Sequence, residues 1–190
     1  MAYILFIFML LFSSPIMADQ EHQDAITPVQ EWVKAEKELL ATMDRGNQEV
    51  FFVLRNKHSV IRSVEIVHRD IAVAVKACGK ENAELKSAMS DRLKQWEGVV
   101  KPILKTAKKV LETELKEQEA FHITDYQHVI KLNDHAFNYS DKAIDKQLVT
   151  TPEACEGLLK SMDRTEDKLV NLLQAILLPE NVIRQRVKAE

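Results

Sequence analysis

The sequence predicts an all-α protein: an antiparallel up-and-down helix bundle of four long helices with a shorter N-terminal one. Three observations carry that expectation. Lys, Glu, Leu, Ala and Gln are abundant in the 190 residues, whereas Gly occurs only 4 times and Pro 5, too seldom for a turn-rich β-protein. Apolar side chains recur three and four residues apart along most of the chain, which is the spacing of one helix face. Cap-like and breaker residues interrupt that periodicity at intervals, as turns between helices do.

Residues 1–18 stand apart from the bundle. Ile4 to Phe12 is an unbroken apolar run, followed by Ser13, Ser14 and Pro15, then Ala18 before the polar Asp19. The run is too short for a stable bilayer-spanning helix, which needs about 20 residues. It has the pattern of a cleavable signal peptide with its cut after Ala18, although Met1 to Tyr3 lacks the usual basic residue. A core helix or a short anchor is the alternative. Residues 19–190 are then expected to form one helical-bundle domain, secreted or periplasmic, with no stable membrane span after cleavage.

Thr27, Pro28 and Gln30 open the first helix, because Thr caps, Pro suits the first position and Gln closes a capping box. Trp32, Leu39, Leu40 and Met43 lie on its apolar face, and Gly46 is expected to stop it in the left-handed conformation. The second helix, about residues 48–78, carries Val50, Leu54, Lys57, Ile61, Val64, His68, Ile71, Val75 and Cys78 in an alternation of four and three. That is a coiled-coil-like heptad pattern. Ile71 to Val75 also alternates like a strand, but nothing nearby can pair with it, so helix is the reading.

Gly79 and Lys80 are expected to turn the chain, with a third helix from near Asn82. Leu85, Met89, Leu93, Trp96, Val100, Leu104, Ala107, Leu111 and Leu115 mark its face; Gly98 and Pro102 predict a kink or a break within it. A fourth helix is expected from a cap at Thr124 or Asp125 to about Thr150. Its stripe of Val129, Ile130, Asn133, Phe137, Ser140, Ile144 and Leu148 is weaker and more polar. Thr151 and Pro152 start a fifth, with Cys155, Leu159, Met162, Glu166, Leu169, Leu173 and Ile176 on one face; Pro179 ends it before a short charged tail helix.

The topology pairs the two cysteines. Antiparallel helices joined by short turns bring the end of the second and the start of the fifth to one pole. Cys78 and Cys155 are therefore expected to form a structural disulfide in an oxidising compartment; no CxxC motif points to redox catalysis.

Chemistry is sparser. Lys57, His68 and Glu166 occupy core-type positions, so a Lys57–Glu166 or His68–Glu166 contact is expected as a polar layer that sets register. His122, Asp125, His128 and His135 are weak candidates for a surface metal site, since three of them share one helix face. Two Glu-x-x-His pairs, Glu65 with His68 and Glu119 with His122, resemble di-metal ligands but fall at different depths of the bundle. Asn138, Tyr139 and Ser140 form a glycosylation sequon. The net charge of −3 is evenly mixed, so no nucleic-acid partner is expected. No GxSxG, P-loop, HExxH or CxxCH occurs. The resulting expectation is an exported, non-enzymatic binding or protein-interaction module without a cofactor, able to engage a protein partner or a second copy. The alternative is a carrier of an apolar small molecule, haem or a metal ion inside the bundle.

Overall fold

The computed structural model describes residues 26–177; the expected signal peptide, Pro179 and the tail helix lie outside them. Five helices occupy 84% of the described residues, and no strand is present among them. In chain order they are α1 (Pro28–Leu40), α2 (Arg45–Glu81), α3 (Lys86–Glu117), α4 (Ile123–Ala143) and α5 (Pro152–Ile176). Ile71 to Val75 is helical.

The framework is the antiparallel α2–α3 hairpin. At 37 residues, α2 spans ~55 Å. Cross-contacts fix the register: Lys57 meets Glu114 at one end, Glu65 meets Lys108, His68 meets Glu97, and Gly79 lies against Lys86 at the other end. A Cβ on Gly79 would come 3.3–3.4 Å from Lys86, so glycine permits the close approach there. α5 packs on α3 and α2 from the end where Cys78 bonds Cys155. α3 and α5 both start at that pole, and Arg92 of α3 reaches Asp163 and Glu166 of α5, so these two helices run the same way. Toward the other pole α4 lies beside α2, and α1 packs on α4.

The core reflects the heptad stripes. Phe51, Leu54, Ile61, Val64, Val75 and Cys78 of α2 pack with Met89, Trp96, Val100, Leu104, Ala107 and Leu111 of α3, and all are buried. Met162 and Leu173 seal it from α5. At the pole away from the disulfide, Phe51 stands edge-on to Phe52, Phe121 and Tyr126, with ring centroids 5.7–6.0 Å apart. Tyr126 donates its hydroxyl to the Leu54 carbonyl at 3.2 Å. Burial pushes that phenol far above its ordinary range and keeps it neutral. α1, by contrast, has no fully buried residue.

Several boundaries differ from expectation, each for a local reason. The Thr27 capping box forms, with Gln30 and Thr27 bonded in both directions. Gly46 does not stop a helix: Asp44 caps α2 by accepting from the Asn47 amide at 2.8 Å, so Gly46 sits in the first turn. No described glycine has a positive φ. Gly79 and Lys80 are still helical, and the turn comes after Asn82, so α3 begins at Lys86. The Asn82 side-chain amide donates to the Cys78 and Thr150 carbonyls, fixing that turn to the disulfide.

α3 is not broken at Pro102. Gly98 and Pro102 are both exposed, so the carbonyl left without its amide partner faces water. His122 stands at the N-cap position of α4 rather than Thr124 or Asp125, and the helix ends at Ala143, well short of Thr150. There Asp141 and Asp70 gather Arg69 and Lys146 into one ionic cluster that holds the chain as it leaves the helix. Residues 144–151 then carry it outside any helix to Thr151, which caps α5. Ile144 and Leu148, expected on the α4 stripe, are 61% and 52% exposed on that segment.

Candidate functional site

α3 and α4 follow one another in sequence yet barely touch along their lengths. Between them lies an open groove of about 470 Å³, with α2 as its floor. Ile61 of α2, Leu111 and Leu115 of α3, and Tyr126 and Ile130 of α4 supply its apolar surface. The lining residues of each helix are spaced three and four apart across about two turns, so the groove is ~12 Å long.

The rim is charged, and most of its charges pair with one another. Glu65 binds Arg62 at 3.0 Å and also meets Lys108 of α3. Burial alone would raise the Glu65 pKa, but bonding and charge from Lys108 and Arg62 outweigh it and hold the carboxyl below its ordinary value. Asp134 of α4 accepts from His58 at 3.0 Å and lies 3.4 Å from Arg62. These contacts bridge α2 to α3 and α2 to α4 across the floor, which fixes the width of the groove. Three cations (Arg62, Lys108, Lys131) face three anions (Glu65, Glu112, Asp134) in the lining, so these six charges balance. The arrangement offers apolar surface at the floor and charged hydrogen-bonding groups at the rim.

The expected polar layer does not form as read from the sequence. Lys57 is buried at 2% exposure, but its ammonium meets Glu114 of α3 at 2.5 and 2.7 Å, not Glu166. His68 donates to the Glu97 carboxylate at 2.6 Å and stacks on Trp96 at 5.8 Å with the rings nearly parallel. The bond from His68 is the main influence holding Glu97 below its usual pKa. Glu166 pairs with Arg92 at 2.7 Å. The three residues thus lie at separate levels, because the antiparallel register sets each opposite a different neighbour.

The weak metal candidates do not converge either. His122 stands at the N-cap position of α4 without a side-chain capping bond and lines a pocket at the α1–α4 corner with Asp125, while His128 and His135 are exposed farther along the helix. Among the described residues, no group of three or more His, Cys, Asp or Glu side chains is placed to hold a metal ion. Glu65 and His68 are each engaged elsewhere, and Glu119 is exposed near the aromatic pole. Asn138 lies inside α4 and accepts from Arg62 at 3.1 Å, so the sequon is folded into a helix.

Cys78 and Cys155 are joined, with Cα atoms 5.7 Å apart and both side chains buried. The groove itself was missed in the sequence, where Ile61, Leu111 and Leu115 read only as core. The one available signal was the thin, polar stripe of α4, which has too few apolar positions to pack against two neighbours. Comparison with protein-family models, curated proteins and solved structures finds no match for this chain.

Proposed function

We propose that this is an exported, non-enzymatic interaction protein that seats the apolar side chains of a partner helix between α3 and α4. The groove carries the reading. It is apolar at the base and open along its length, and Arg62, Glu65, Lys108 and Asp134 at its rim already pair with one another, so an entering helix displaces little beyond water there. Its volume suits two or three large side chains spaced three and four apart on the partner, with their polar neighbours left at the rim. Export is supported by the leader-like residues 1–18 and by the Cys78–Cys155 disulfide, a bond that persists in oxidising compartments. No described helix is long and apolar enough to cross a membrane.

Native mass spectrometry of the full chain expressed in its own source, with its Ile130→Glu variant in parallel, tests this. The reading expects an added protein mass, another chain or a second copy, that disappears when a carboxylate is placed in the groove. A bare chain in both samples, or an added mass indifferent to Ile130→Glu, overturns it.

A further inference from the structure

On the α2–α3 hairpin near the disulfide pole lies a second groove of about 480 Å³, of a different character. Its apolar surface comes from Ala72 and Val75 of α2 and Leu93 of α3. Ala72 and Ser90 are small, and their lack of bulk leaves space between the two helices, while Gly79 lets Lys86 come close at its end. Around it stand Lys76 and Lys80 of α2 and Lys86 of α3.

None of the lining residues is acidic, although the chain as a whole carries a net charge of −3. Lys80 pairs with the neighbouring Glu81 at 3.3 Å, but Lys76 and Lys86 have no ion pair among the described residues. The placement of Lys86 also works against local stability. It stands in the first turn of α3, where a cation opposes the helix dipole, and no acidic residue in that turn offsets it. The first groove balances three cations with three anions; this one concentrates cations over an apolar floor.

From this complementarity we infer that the groove binds a fatty carboxylate of medium chain length. The alkyl chain lies along Ala72, Val75 and Leu93, a floor of ~12 Å from Ala72 to Lys80. The carboxylate is held by the ammonium groups of Lys76 and Lys86, which exchange water for a charge-assisted hydrogen bond. This site is separate from the α3–α4 groove, so either can fail without the other.

Titration of the full chain with dodecanoate, followed by calorimetry, tests the inference. Saturable binding at one site is expected, with acetate failing to bind because it lacks the tail. Dodecanol should be at least about tenfold weaker because it lacks the charge. The double variant K76E/K86E should weaken dodecanoate about tenfold or more, since it turns two attractions into repulsions. Ala72→Leu, which fills the floor and keeps every charge, should weaken it comparably while circular dichroism and melting temperature hold. Absence of saturable binding overturns the site. So does affinity unchanged in either variant, or binding lost with Ile130→Glu in the other groove.

Discussion

Opening the Cys78–Cys155 bond should remove a large share of the stability of the bundle. The bond closes a loop of 77 residues that contains all of α3 and α4. In the chain-entropy treatment, cross-linking a loop that long disfavours the unfolded ensemble by ~4.5 kcal/mol at 25 °C. The Cα separation of 5.7 Å falls within the ordinary range, so the native backbone need not move to accommodate the bond. Compactness of the real unfolded chain reduces the figure, and about 3–4 kcal/mol is the working expectation. The double variant C78A/C155A leaves two small apolar side chains at buried positions and introduces no unpaired polar group. At about 2–4 °C per kcal/mol for a chain of this size, its melting temperature should fall by about 10 °C. The fall is measured by circular dichroism, with the wild-type protein in reductant as a second route to the same state. Melting within about 2 °C of wild type in both would refute the reasoning, because the loop would then contribute nothing.

Other expectations concern the core and its polar contacts. Glu114→Ala removes the carboxylate that meets the Lys57 ammonium at 2% exposure and should cost about 2–3 kcal/mol in urea unfolding. Lys57→Met should cost less, since the remaining Glu114 is 26% exposed and can hydrate. Phe51→Ala removes the centre of the aromatic cluster at 0% exposure and should cost about 3–5 kcal/mol by the same assay. Acid should weaken the fold through Glu97 and Glu65, whose carboxyls are held below the ordinary 4.5. A depressed carboxylate contributes its stability above its unfolded pKa and loses it as pH falls through the folded one. Melting temperature should therefore drop as pH is lowered from about 5 toward 3, and Glu97→Gln should flatten part of that slope.

The disulfide and the α2–α3 core were legible because both depend on spacing alone. A heptad stripe fixes which side chains face a neighbour, and short turns fix which helix ends share a pole, so Cys78 and Cys155 could be paired without coordinates. Partners along the stripe were not legible. Lys57 finds Glu114 and not Glu166 because its neighbour at that depth depends on a register that a shift of one helical turn would change. The end of α4 was misplaced because Asp141 engages Arg69, a residue of α2 that lies far away in sequence. Grooves are harder still. They are set by where helices fail to meet, and an apolar residue lining an open groove, such as Leu115, has the same pattern as one in a closed core.

The binding role is tested most directly by site-specific photo-crosslinking in the living source. A photoreactive residue at Lys131, on the rim of the α3–α4 groove, is compared with one at Lys160, an exposed position on α5. The account expects one discrete protein adduct from position 131 that is missing from position 160 and abolished by Ile130→Glu. Equal adducts from both positions, or none from position 131, would contradict it.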